Sequence, residues 1–265
     1  MRHVRNSCEQ AILDTVRRDG RARIAALARA LSVSDETVRR HVRALVADGL
    51  VRREHGAVVW VGGSEPPFER RLSVNAAAKR AIARAVAERV EDGATVMLDT
   101  GSTTAYVAEA LAARRELTVI TNGIEIARSL VGRNGHRVYL AGGALDARLA
   151  AALGPEALAF LDQFHADLAI LSIAAIDAEQ GLMDFELDEA RMARAMMRRA
   201  RRVLVAADHS KFGRRAAVRV ADLGAVDLLV TEAPPPEPFE AQLAAAGVEL
   251  VVAMPAAGAR QSVSV

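Results

Sequence analysis

Between Arg23 and Leu45 the apolar residues recur with helical spacing in two short runs. In the first, Arg23–Leu31, Ile24, Leu27, Ala28 and Leu31 share a stripe; in the second, Val38, Val42 and Leu45 do so. Only Ser32 and Val33 separate the first run from Ser34, and so tight a turn makes two short helices cross steeply, as in a helix-turn-helix. Ser34 can accept from free amides of the second helix's first turn, where Asp35 and Glu36 also suit the helix dipole. With the Val38 stripe turned inward, Thr37, Arg40, His41 and Ala44 point elsewhere, and Arg39 and Arg43 share a further face. Ile12, Leu13 and Val16 predict an earlier helix over Glu9–Arg18, closed by Gly20. Asp48-Gly49 should end the recognition helix, and Leu50–Trp60 reads as two short strands around a turn, a wing carrying Arg52 and Arg53.

The pattern then changes. Gly62-Gly63-Ser64-Glu65-Pro66-Pro67 sustains neither helix nor sheet and reads as a linker, and Phe68–Val90 reads as one helix. Seven apolar stretches follow, at 95–99, 117–121, 137–141, 168–172, 203–207, 228–231 and 248–252. Helical stretches lie between them, at 104–113, 124–131, 156–164, 186–200 and 237–246. Near-continuous apolar strands alternating with helices predict a mostly parallel sheet covered on both faces. The expected architecture is α/β: a winged helix-turn-helix over residues 1–61, a linker over 62–67, and a mostly parallel α/β domain over 68–265.

Charge sharpens this division. Up to Val61, twelve arginines against seven acids give +5, which leaves −3 for the remainder of a chain carrying +2 in all. The basic end is the one suited to a polyanion, and an Arg-rich helix face suits phosphates and guanine in a major groove. Cys8 is the only cysteine, so neither a disulfide framework nor a thiolate metal site is expected. No apolar run approaches the roughly 20 residues of a membrane span, and Met1–Ser7 leads into no signal-type apolar core, so a cytosolic protein is expected.

A second site is expected outside the carboxyl ends of the strands. Asp99-Thr100-Gly101-Ser102-Thr103-Thr104 follows the first strand and opens a helix, with small residues, outward amides and hydroxyls that can cradle a phosphate. Thr121-Asn122, Gly142-Gly143 and Asp208-His209-Ser210-Lys211 end three further strands. Lys211 is one of two lysines, with Lys79, in a chain that otherwise uses Arg, and a compact ammonium suits a phosphate. Asp99 and Asp208 can accept from sugar hydroxyls, although either could merely cap a loop. No cofactor or metal is expected.

Val33–Arg40, with the wing segment Arg53-Glu54-His55-Gly56, resembles the DeoR-type bacterial transcriptional regulators. The motifs 99–104, Thr121-Asn122, Ala141-Gly142-Gly143, Gly154 and 208–213 resemble the same family's sugar-phosphate-sensing domain, whose fold is shared with phosphopentose isomerases. Segments 208–214 and 233–236 are similar to the subgroup that regulates glycerol metabolism. The chain departs from the family pattern at His41, usually Asp, at Ala57, Ser172 and Ala175, usually Gly, and at Ala193, usually Lys. Added side chains narrow a pocket, and a lost ammonium weakens anion binding.

The resemblance implies a repressor that binds a double-stranded operator through Ser34, Thr37, Arg39, Arg40, Arg52 and Arg53, as a homodimer or homotetramer. A phosphorylated sugar or glycerol 3-phosphate would relieve it, held by Asp99, Gly101, Ser102, Thr103, Thr104, Thr121, Asn122, Gly142, Gly143, Asp208 and Lys211. One alternative is a regulator with a vestigial pocket. Another is a sugar-phosphate isomerase using Asp99, Asp208, Glu189 and Lys211; Ala193 and the lack of surplus acid-base groups argue against it, and the expectation is a non-enzyme.

Overall fold

The computed structural model describes residues 7–19, 21–47, 50–60 and 65–253. The expected stops at Gly20 and Asp48-Gly49, and the Gly62-Gly63-Ser64 part of the linker, lie outside them. The chain forms two compact units that divide between Arg70 and Arg71.

The first unit runs α1 (Ser7–Asp19), β1 (Arg21–Arg23), α2 (Ile24–Leu31), α3 (Asp35–Ala47), β2 (Val51–Glu54) and β3 (Ala57–Trp60). Ile12, Leu13 and Val16 of α1, Ile24 and Leu27 of α2, and Val38, Val42 and Leu45 of α3 meet Val51 and Val58 in one core. Between α2 and α3, Ser32 takes a left-handed conformation (φ 53°), and the Val33 amide donates to the Ala28 carbonyl at 3.0 Å. The three strands form an antiparallel sheet in the order β1-β3-β2. Arg23, expected at the start of α2, instead belongs to β1 and pairs with Ala57. A three-residue strand is too short to show a period of its own.

The segment expected as one helix over Phe68–Val90 is broken. α4 (Phe68–Ser73) stops, Asn75 adopts a left-handed conformation (φ 53°), and α5 (Ala76–Ala87) begins. Asn tolerates this region better than other non-glycine residues because its short polar side chain can bond locally.

The rest of the second unit alternates strand and helix. The chain continues through β4 (Thr95–Leu98), α6 (Ser102–Leu111), β5 (Thr118–Thr121), α7 (Ile124–Leu130), β6 (Arg137–Leu140), β7 (Ala144–Asp146), β8 (Ala151–Leu153), α8 (Pro155–Leu161) and β9 (Ala166–Leu171). There follow β10 (Ala175–Asp177), β11 (Gly181–Asp184), α9 (Leu187–Arg198), β12 (Ala200–Ala206), β13 (Val218–Ala221), β14 (Leu228–Thr231), α10 (Phe239–Ala245) and β15 (Glu249–Val252). Seven strands form a parallel sheet in the order β15-β14-β12-β9-β4-β5-β6. Side chains alternate across it as strand geometry requires. Met97, Ile120, Ala169, Leu171, Val205 and Leu229 join one core with α8, α9 and α10 residues such as Leu161, Met196 and Leu243. Val96, Leu98, Val119, Ile170, Leu204 and Val230 join a second core with α5, α6 and α7 residues such as Val86, Leu111 and Leu130. The β7-β8 hairpin and the small antiparallel sheet β10-β11-β13 were not expected from the sequence; most of their strands are only three residues long. Among the described residues, no helix is long and apolar enough to cross a membrane.

Candidate functional site

In the first unit, the Ser34 hydroxyl accepts from the Thr37 amide at 3.2 Å and lies 2.9 Å from the Thr37 hydroxyl, so α3 is capped as its sequence dictates. Ser34 and Arg40 are exposed, with Thr37 and Arg39 half-buried. Arg43 is held by Glu36 at 2.6 Å. His41 does not point away from the core: it is buried, with Nδ1 3.1 Å from a Glu9 carboxylate oxygen of α1.

The wing turns at His55-Gly56, both at positive φ (42° and 77°), the conformation that a two-residue hairpin turn with matching twist requires. The Ile24 amide donates to the Gly56 carbonyl at 3.1 Å, tying the wing turn to the start of α2. Register then sorts the arginines. Arg21, Val59 and Arg52 lie in one row across the sheet, and Arg23, Ala57 and Glu54 lie two residues along, on the same face. Arg53 is in the row of buried Val58 and therefore points to the other face. Arg52 and Arg53, expected to act together, thus project oppositely, and Arg52 is ion-paired with Glu54 at 2.9 Å. Exposed Arg21 and Arg23 join Arg52 instead. Neither is marked in the sequence, where Arg23 reads as the start of α2 and a three-residue strand shows no period.

In the second unit, parallel pairing places the loops after β4, β5, β6, β9 and β12 at one edge of the sheet. The loops after β4 and β9 are interlocked. Asp99 Oδ1 accepts from the Ser172 amide at 2.9 Å, and a β-carbon on Gly101 would fall 1.9 Å from the Ser172 hydroxyl oxygen. Burial pushes the Asp99 carboxyl well above the usual carboxylate range, helped by the charge of Glu189 and opposed by bonds from Ser172 and Thr104 and by the Arg71 charge. At Asp208, burial also pushes upward. There it is outweighed by the Lys211 charge, the Ser210 hydroxyl, the Lys79 charge and the Asn75 amide, so its carboxyl is held below the usual range.

The expected site residues separate into groups. Thr104, Thr121 and Asn122 are completely buried. Thr104 donates to the Gly101 carbonyl at 3.0 Å, Thr121 accepts from the Gly123 amide at 3.0 Å, and Asn122 links the Thr100 amide to the Ala152 carbonyl at 3.1 Å each. These bonds hold the loops in shape. Gly142 and Gly143, in the loop after β6, are exposed, and a β-carbon on Gly143 would face Leu153 and Glu156. Asp99, Gly101, Ser102 and Thr103 stay together at the start of α6, whose amides favour an anion.

Lys79, rather than Lys211 alone, brings an ammonium to this edge. It is buried, and its ammonium donates to the Ser102 hydroxyl at 2.9 Å and to the Arg71 carbonyl at 2.6 Å. Arg71 is buried too, while Lys211 is half-buried. Ala175 and Ala193 are buried in the hydrophobic core, and Lys79, Arg71 and Lys211 bring positive charge to this edge. An ammonium at a helix start, flanked by one carboxyl biased toward its neutral form and one biased toward its anion, can hold a phosphate ester and both donate to and accept from its hydroxyls.

Comparison with known proteins matches both units to one family. Residues 9–62 match the DeoR-like helix-turn-helix domain, and residues 74–233 match the DeoR C terminal sensor domain. The chain is 36% identical over 226 residues to the glycerol-3-phosphate regulon repressor of Escherichia coli, covering 85% of this chain and 90% of that one. It is 34% identical over 248 residues to the HTH-type transcriptional repressor CsqR of Escherichia coli, covering 93% and 95%. Among solved structures, ribose 5-phosphate isomerase A from Methanocaldococcus jannaschii aligns at 18% identity and TM-score 0.37, covering 51% of this chain and 53% of that one. The chain therefore belongs to the DeoR family of DNA-binding transcriptional regulators, with its DNA-binding unit ahead of its sensor unit.

Proposed function

We propose that the protein is a repressor that grips its operator through the first unit and releases it when a phosphorylated sugar or glycerol 3-phosphate occupies the second. The observation that carries this reading is the buried Lys79 ammonium, 2.9 Å from the Ser102 hydroxyl at the start of α6, with its charge acting on Asp208. A buried ammonium beside free helix amides favours a compact anion, and the adjoining carboxyls suit hydroxyls on the rest of the ligand. The named relatives, glycerol-3-phosphate regulon repressors among them, support the same class. Effector contacts fall to Ser102, Thr103, Asp99, Asp208, Lys79 and Lys211, with Gly101 allowing close approach.

On the operator, Ser34, Thr37, Arg39 and Arg40 meet groove and backbone, and the outer wing face adds Arg52 with Arg21 and Arg23. One module of this size binds modestly, and a homodimer or homotetramer on repeated half-sites is the arrangement that fits such a module. The polar groups at the strand ends bind and report; no catalytic role is proposed for them. Calorimetry of the full-length protein against glycerol 3-phosphate, hexose phosphates and inorganic phosphate tests the sensor. Heat from a phosphate ester, lost in Lys79→Gln, is expected; no heat from any member would contradict the reading.

A further inference from the structure

The chain crosses from its first unit to its second inside α4, and the residues just after that point are fastened to the polar edge of the sensor sheet. Three contacts do this. The Asn75 amide donates to Asp208 Oδ1 at 2.9 Å, at the corner where α4 gives way to α5. The Lys79 ammonium bridges the Arg71 carbonyl, at 2.6 Å, and the Ser102 hydroxyl, at 2.9 Å. The Tyr106 hydroxyl of α6 donates to the Leu72 carbonyl at 3.0 Å. Buried Arg71 completes the segment, and its charge acts on Asp99. The partners on the sensor side are thus Asp208, Ser102 and Tyr106, and the first two, with Asp99 under the Arg71 charge, are also effector contacts.

We propose that the segment Arg71–Lys79 is both a wall of the effector site and the element that reports its occupancy. This rests on the effector reading. A phosphate oxygen arriving at Ser102 competes with the Arg71 carbonyl for the Lys79 ammonium. A ligand hydroxyl arriving at Asp208 competes with the Asn75 amide. Both exchanges loosen the α4–α5 corner, and α4 carries the last residues of the operator-binding unit, so ligand contacts differ between the two states of the connector. That difference is the only thing that lets a ligand shift an equilibrium. Asn75 and Tyr106 are then coupling residues: they hold the connector without being needed to hold the ligand.

The test uses the full-length protein, an operator selected from random duplexes, and glycerol 3-phosphate as probe. Calorimetry reads probe affinity, and fluorescence anisotropy reads operator affinity with and without saturating probe. Asn75→Gly keeps the left-handed corner while deleting the amide, and Tyr106→Phe deletes one hydroxyl at a separate point. In wild type the probe lowers operator affinity by about 5–150-fold, the usual range of such coupling. In neither variant does probe affinity fall, and in Asn75→Gly it rises because the competing amide is gone, while the probe-induced loss of operator affinity shrinks to about twofold or less in both. Full release in both variants at matched occupancy overturns the connector proposal and leaves the effector reading standing. Absence of binding to wild type by glycerol 3-phosphate, hexose phosphates and inorganic phosphate alike overturns both.

Discussion

Asp99 and Asp208 stand at one edge of one sheet with their carboxyls biased in opposite directions, and the neighbours of each explain why. Asp99 is buried with Glu189 adding to its burial, whereas Asp208 is buried among Lys211, Lys79, Ser210 and Asn75. The consequence for Asp99 is a pH-dependent cost. Its folded-state affinity for a proton exceeds the unfolded one, so stability is highest below the unfolded value and falls as pH rises from there toward the folded value. Thermal melts of Asp99→Asn should therefore gain on wild type as pH is raised from about 4, the ordinary Asp value. A gap between the two proteins that does not change with pH would contradict the assignment. In the other unit, Ser34→Ala removes the cap of α3 and should lower the unfolding free energy of that unit by about 1 kcal/mol in urea titrations of the full chain. Arg40→Ala should weaken binding to all duplexes alike and shallow the log–log salt dependence by about 1 per lost phosphate contact.

At the scale of elements, the β4–α6 and β9 loops form a fitted pair, because Gly101 leaves room for Ser172. Gly101→Ala should destabilise by about 1–3 kcal/mol, as overpacking does, and Ser172→Gly in the same chain should recover most of that loss by removing the atoms in the way. Non-recovery in thermal melts would show that the loops are not matched as described. The outer face of the β1-β3-β2 sheet gives a second prediction. Arg23→Gln should reduce the salt slope of operator binding by about 1 without altering the preference between operator and scrambled duplex, the behaviour of a phosphate contact. An unchanged slope would place Arg23 away from the duplex. These elements differ in how readable they were. The seven parallel strands, the Val38-Val42-Leu45 stripe and the Ser34 cap were legible because each is a local pattern with one physical cause. Lys79 was not, since a single lysine in an Ala-rich helix reads as a solvated charge until the fold brings Ser102 beside it. Nor was the break at Asn75, whose partner Asp208 is 133 residues away. The opposite faces of Arg52 and Arg53 depend on pairing register, which the sequence does not show.

Across the whole molecule, the charge is uneven and the two units divide the work accordingly: the first sixty-odd residues carry +5 of a net +2. An operator-binding unit rich in exposed arginine gains most of its affinity from phosphate neutralisation, which is strong at low salt and carries no sequence information. Regulation must then act on how these units are held rather than on their chemistry, because no effector contact is given to any residue before Arg71. The most direct measurement is operator affinity of the full-length protein at fixed salt, titrated with glycerol 3-phosphate and with glucose 6-phosphate, and repeated with Lys79→Gln. The account predicts that at least one phosphate ester lowers the affinity of wild type by about fivefold or more and leaves Lys79→Gln bound. Operator binding that ignores both esters in wild type, or that responds equally in Lys79→Gln, would contradict it.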